Sequence, residues 1–234
     1  MTQKILAIIP ARGGSKRIPK KNIKLLAGKP LLAYSIEHAK SSKHINRVLV
    51  STDDSEIAEM AKKYGAEAPF LRPTEISGDD ATDLQCFEHA LEWLKSEENY
   101  VPDLVVQLRP TSPLREVADV DMAIEMILSH PGGDSARTVI EPQASPYKMY
   151  RISEDGFLEP LMGDLDKINV GDQKLPKVFR HIGTADVIRP STILEKKHMS
   201  GSKILAVPVK KAYSGINELE DWDYYEFLIS RKGR

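Results

Sequence analysis

The sequence predicts an α/β chain built as a doubly wound, mostly parallel mixed sheet. Short apolar runs alternate with amphipathic helical patterns, the signature of βαβ units. The first apolar run ends in a glycine-rich, strongly basic loop, as in folds that bind ligands at strand ends. The third observation is size. The chain has 234 residues, 41% hydrophobic and 29% charged, enough for one domain with a sizeable core. No internal repeat, low-complexity tract or long linker divides it, so a single domain over 1–234 is expected.

Each element follows from local pattern. Ile-Leu-Ala-Ile-Ile at 5–9, bounded by Pro10, reads as a buried strand. Leu32, Ile36 and Ala39 recur at helical spacing behind Pro30, a favourable first-turn residue. Residues 47–51 form the next strand and 55–64 a helix, for which Asp53 and Asp54 read as the cap rather than as metal ligands. Residues 66–71 are a further short strand candidate. Leu84, Phe87, Leu91 and Leu94 mark a helix over 82–96, with Thr82 placed to cap it. A buried strand at 104–108 leads into the loop 109–115. Val120, Ile124 and Ile127 then mark a helix that ends near Pro131, and 135–140 reads as a strand.

From 142 to 172 the pattern loosens. Tyr147, Met149, Tyr150 and Phe157 around Gly156 suggest a hairpin projecting from the domain. Residues 178–188 and 203–209 are the closing strands. A helix over 220–231 should bury Trp222, Tyr225 and Ile229.

The charge balance narrows the partners. Net charge is -1, so nothing argues for nucleic acid or a membrane surface as the main partner. The cations concentrate in 12–24, which points to a small polyanion. The one cysteine, Cys86, excludes an internal disulfide, fits a reducing cytosol and reads as a buried small residue. A cytoplasmic protein is expected, because the N-terminal apolar run is too short for a signal peptide. No stretch approaches the roughly 20 apolar residues of a membrane span. His89, His181 and His198 lack ligand spacing and read as packing or hydrogen-bonded residues.

The loop Pro-Ala-Arg-Gly-Gly-Ser-Lys-Arg-Ile-Pro-Lys-Lys-Asn at 10–22 carries the chemistry. Gly13 and Gly14 let backbone N–H groups turn toward an anion, and Arg12, Lys16 and Lys21 supply charge. It has neither P-loop nor Gly-x-Gly-x-x-Gly spacing. Arg12 and Lys16, with Ser15 and nearby backbone N–H groups, from Ala11 onward, make a cradle suited to a polyphosphate.

This loop, followed by Gly-Lys-Pro at 28–30, Val-Leu-Val-Ser-Thr-Asp-Asp at 48–54, Leu-Arg-Pro at 71–73 and Pro-Thr-Ser-Pro-Leu-Arg at 110–115, resembles the acylneuraminate cytidylyltransferases, the CMP-sialic acid synthetases. The resemblance implies a nucleotide-diphospho-sugar transferase-like fold. It also implies transfer of CMP from CTP to a sugar acid, with Mg²⁺ and release of pyrophosphate. It puts Lys21 on the α-phosphate, with the largest effect on turnover, and Asn22 and Arg72 on the nucleotide. The Thr82 hydroxyl would lie near the base or ribose. The 142–172 segment would reach a partner subunit in a homodimer.

The second half departs from that family. Arg109 replaces a Gln, Ile182 an Asn, and Asp172 an Arg, although Lys174 or Lys177 lies nearby. The Asp-x-Asp metal pair falls on Gly215 and Asn217. Asn217 still offers a carbonyl oxygen to a cation, and Glu218, Glu220 or Asp221 could substitute. The fixed fork of Arg109 suits a carboxylate or phosphate on the acceptor. An acidic sugar is therefore expected. The alternatives are a sugar phosphate or phosphonate acceptor, or a nucleotide-binding homologue of weak activity.

Overall fold

A computed structural model describes residues 3–211, 213 and 215–232, beginning with β1 (Ile5–Pro10). The chain continues through a two-residue hairpin, β2 (Leu25–Leu26) and β3 (Lys29–Pro30), into α1 (Leu31–Ser41). It then forms β4 (Arg47–Ser51), α2 (Ser55–Lys63), α3 (Asp83–Glu98), β5 (Leu104–Gln107), α4 (Val117–Leu128) and β6 (Ser135–Ile140). An excursion holds β7 (Tyr150–Ile152), β8 (Leu158–Pro160) and the short α5 (Leu165–Ile168). The remainder is β9 (Arg180–Ile188), α6 (Pro190–Leu194), β10 (Ile204–Pro208) and α7 (Leu219–Lys232).

Six strands form one sheet in the order β10-β6-β9-β5-β1-β4. β1 runs parallel to β4 and β5, and β10 runs parallel to β6. β9 is antiparallel to both β5 and β6. This is the mostly parallel mixed sheet that the alternating pattern predicts. The carboxyl ends of β1, β4, β5 and β6 and the start of β9 share one edge. The loops 10–22 and 108–115 are therefore neighbours there.

Both faces of the sheet are covered, which explains why β1 is apolar throughout rather than alternating. Ile5, Ala7 and Ile9 pack with Leu32 and Ile36 of α1, Ile57 of α2 and Ile124 of α4. Leu6 and Ile8 pack on the opposite face with Phe87, Leu91 and Leu94 of α3. A third cluster, Ile18, Leu26, Leu31, Leu114, Ile216, Trp222 and Tyr225, pins the basic loop to the 109–115 loop and to α7. Ile229 is only half-buried against this cluster.

One expected strand is missing. In 66–71 only Glu67 bridges Leu49, its N–H donating to Val48 O and its carbonyl accepting from Val50 N, both at 2.8 Å. Pro69 follows without a donor, so the ladder stops there. The hairpin in 142–172 is present. β7 and β8 pair only with each other, and Ile152, Phe157 and Leu158 are 74, 72 and 61% exposed. Asp172 pairs with Lys148 at 2.6 Å, and Lys177 with Glu141 at 3.5 Å. No helix among the described residues is long and apolar enough to cross a membrane.

Candidate active site

The strand β4 ends in two carboxylates with separate tasks. Asp54 caps α2, accepting from the N–H groups of Glu56 and Ile57. Asp53 does not share that task. Its Oδ1 accepts the Gly13 N–H at 2.9 Å and lies 3.9 Å from Arg72 Nη2. A Cβ at Gly13 would stand 2.7 Å from the Asp54 carboxylate, so this close approach requires glycine. Nothing lies within 4 Å of a Cβ built at Gly14.

Three backbone N–H groups of the expected cradle are engaged within the protein. The Ala11 N–H donates to Ser51 O at 3.0 Å, Gly13 to Asp53, and Ser15 to Gly13 O at 2.9 Å. Ala11 is fully buried, and Ala11, Gly13 and Gly14 do not line the cavity above the loop. Asn22, 6% exposed, donates through Nδ2 to Arg12 O at 2.9 Å and so fixes the backbone from which Arg12 projects.

A cavity of about 580 Å³ opens at this sheet edge. It gathers Arg12, Ser15, Lys16, Lys21, Asn22, Arg72, Thr82, Arg109 and Asn217, all singled out from sequence. It also gathers Arg17, Asp79, Asp83 and Thr111, which sequence reasoning left aside. Arg17 lies in the same basic run. Asp79 and Asp83 flank Thr82, and acidic residues at a helix start read as capping, so their second use was hidden.

Lys21, expected at the α-phosphate, and Arg72, expected on the nucleotide, differ in setting. The Lys21 ammonium donates to Ile216 O at 3.2 Å. Burial, then the charges of Arg17 and Arg12, hold its pKa below the ordinary lysine value. Arg72 is buried beside Ser77, donating Nε to its hydroxyl at 3.1 Å. Thr82 lines the cavity, but its hydroxyl accepts from the Gln85 N–H at 3.3 Å. The Gln85 side chain in turn accepts the Thr82 N–H at 2.9 Å, completing a capping box.

Arg109 is spoken for. Its Nη2 donates to Asp83 and its Nη1 to Asp186, both at 3.0 Å. Asp186 is fully buried and also receives His181 Nε2 at 2.7 Å. Burial pushes the Asp186 carboxyl up, but the His181 hydrogen bond and the charges of Arg109 and Arg137 hold it below its ordinary value. Gly183, at φ +62°, makes room, since a Cβ there would lie 2.7 Å from Arg109 Nη1. The fork expected to meet an acidic acceptor is thus engaged by two carboxylates of the chain. Beneath it, buried Arg115 donates to the carbonyls of Thr184 and Arg109 and to the Ser35 hydroxyl. Burial, then Arg109, push its pKa down to about 9.

The segment expected to hold a metal is organised around a different carboxylate. Asn217 Nδ2 donates to Gly215 O at 3.1 Å, and Asp221 Oδ2 accepts the N–H groups of Asn217 and Glu218 at 2.7 and 3.0 Å. Asp221 therefore reaches back over the first turn of α7. Among the described residues no three His, Cys, Asp or Glu gather as a metal-ligand set. The other histidines have local roles: His89 packs edge-on against Phe70 at 4.8 Å, and His198 Nδ1 accepts from Ser200 and Gly201.

A family model described as cytidylyltransferase matches residues 6–149. The chain is 46% identical over 127 residues to the pseudaminic acid cytidylyltransferase of Campylobacter jejuni, a match spanning 54% of each chain. The chain thus spans about half the length of that curated relative. It is 30% identical over 233 residues to the post-translational flagellin modification protein B of Campylobacter coli, covering 97% of this chain and 96% of that one. A solved CMP:2-keto-3-deoxy-manno-octonic acid synthetase complexed with CTP superposes with a TM-score of 0.74 at 17% identity, covering 98% of this chain and 100% of the other. That likeness concerns the fold.

Proposed function

This chain belongs to the cytidylyltransferase family, and on that premise we propose that it transfers CMP from CTP to a sugar acid of the nonulosonate kind. The observation that carries the reading is the convergence of Arg12, Lys16 and Lys21 on one cavity. The relatives' names, pseudaminic acid cytidylyltransferase foremost, supply the acceptor class.

In this reading Arg12 and Lys16 take the β- and γ-phosphates, while Ser15, Asn22 and Arg72 shape the nucleotide side. Lys21 faces the α-phosphate. The acceptor hydroxyl oxygen attacks the α-phosphorus, the bond to the β-phosphate oxygen breaks, and pyrophosphate leaves with the electron pair as the hydroxyl releases its proton. Lys21 acts by donating to the non-bridging oxygen on which charge builds. Arg109 serves the acceptor side by holding Asp83, Asp186 and the cavity wall in place, rather than as a free fork.

At 215–217 magnesium meets no carboxylate pair. The residues at 215–217 do not fit a protein-held divalent site, since Gly215 offers no side chain and Asp221 is engaged with backbone N–H groups. Mg²⁺ is proposed here as the companion of the nucleotide phosphates, its commonest setting, and Asn217 at most adds a carbonyl. The same departure favours a second reading, a nucleotide-binding homologue of weak turnover.

A cytoplasmic homodimer completes the proposal, with the β7–β8 hairpin meeting the second copy. The exposed Ile152, Phe157 and Leu158 support it. The deciding experiment measures pyrophosphate release from CTP and Mg²⁺ with a panel of nonulosonic acids, sugar phosphates and phosphonates. Turnover with a nonulosonic acid is expected. CTP binding without turnover on any acceptor would favour the second reading, and no CTP binding would remove both.

A further inference from the structure

A carboxylate of the chain already occupies the cations that a triphosphate needs. Arg12 Nη1 lies 3.0 Å from one oxygen of Asp79, and the Lys16 ammonium closes on the other. Arg12 Nη1 also donates to Gly78 O at 2.7 Å. These three contacts tie the 77–82 segment across the basic loop.

That segment is fixed at its ends and exposed between them. Ser77 is buried, receiving Arg72 Nε and donating to Pro73 O at 2.8 Å. Thr82 is fixed by its capping box with Gln85. Gly78, Asp79 and Asp80 between them are exposed, and a Cβ at Gly78 would meet nothing within 4 Å. Asp79 can therefore swing away without disturbing either anchor.

Resting on the nucleotide reading above, we propose that Asp79 is an internal counter-ion that a polyphosphate displaces, making the 77–82 segment a gate over the two cations. A chain of two or three phosphates spans Arg12 and Lys16 together and replaces both contacts that Asp79 gives up. The same carboxylate recloses on the two cations when pyrophosphate leaves. The lowered pKa of Asp79, caused first by its hydrogen bond from Lys16 and also by the Arg12 charge, agrees with a carboxylate that is ionised whenever the gate is shut.

The test is calorimetric binding of inorganic pyrophosphate to the full chain and four variants, the fourth combining Arg12→Gln with Asp79→Asn. Asp79→Asn should bind pyrophosphate about fivefold or more tightly than wild type, the scale of losing two exposed ion pairs that compete with the ligand. Asp80→Asn makes the same charge change beside it but removes none of these contacts, and should stay within about twofold. Arg12→Gln should weaken binding and shrink the gain from Asp79→Asn. Equal or weaker binding by Asp79→Asn overturns the gate, as does an equal gain in Asp80→Asn. If pyrophosphate binding depends on Arg12 in either case, the nucleotide reading stands without the gate. If no protein binds pyrophosphate, both fall.

Discussion

The Lys21 ammonium lies 3.2 Å from the Ile216 carbonyl, joining the first loop to a segment 195 residues later. Ile216 is itself fully buried in the cluster with Ile18, Leu114 and Trp222. The lysine is therefore held by a neutral acceptor on a rigid support, with the Asp221 charge acting on it from farther off. Its charge stays available for an anion that develops in the cavity.

Lys21→Ala should lower kcat by at least about a hundredfold while changing the KM for CTP modestly, because a contact that strengthens in the transition state appears in turnover. Arg12→Ala should weaken both. Steady-state kinetics on the two variants checks this. A near wild-type kcat for Lys21→Ala would remove its assigned role.

Arg109 and Gly183 should behave as one unit. Arg109→Gln removes a partner from the buried Asp186 carboxylate and should cost roughly 3 kcal/mol. Gly183→Ala drives a methyl to 2.7 Å from Arg109 Nη1 at a positive φ, and should destabilise by about 1–3 kcal/mol. Because the two share one contact, the double variant should be less destabilised than the sum. Chemical denaturation of the four proteins measures the coupling, and strict additivity would contradict the packing described.

Acid stability should report on Asp134. The Lys196 hydrogen bond, followed by the backbone N–H groups of Lys203 and Ser202, holds its carboxyl well below the ordinary range. A depressed native pKa contributes stability above the unfolded value of about 4, and that stability is lost as pH falls below it. Asp134→Asn should therefore lower Tm at pH 7 and flatten the fall in Tm below about pH 4. An unchanged acid limb in the variant would show that Asp134 does not carry it.

The hairpin supplies a prediction about assembly. Sedimentation should give a dimer at micromolar concentration, and Phe157→Asp should shift it to monomer, because a charge on the exposed apolar face opposes its burial. A wild-type monomer would count directly against the proposed dimer.

Local pattern determined most of the fold. Residues 47–51 and 135–140 are strands with those same bounds, and the helix over 82–96 is α3 with its Thr82 cap. Periodicity of apolar residues and capping chemistry act over a few residues, so they are written in order along the chain. The basic loop was legible for the same reason, as a run of glycine and cations behind a buried strand. Even the failed strand at 66–71 has a local cause in Pro69.

What the charges meet was decided only by the tertiary structure. Arg109 reads in sequence as a free fork, yet Asp83 and Asp186, 26 and 77 residues away, take both of its arms. Gly13 reads as a phosphate donor, yet Asp53, 40 residues on, takes its N–H. Asp79 belongs to no motif in the sequence, yet it sits on Arg12 and Lys16. An ion pair depends on which groups come within about 3–4 Å in space, and no spacing along the chain specifies that until the sheet has brought the loops together.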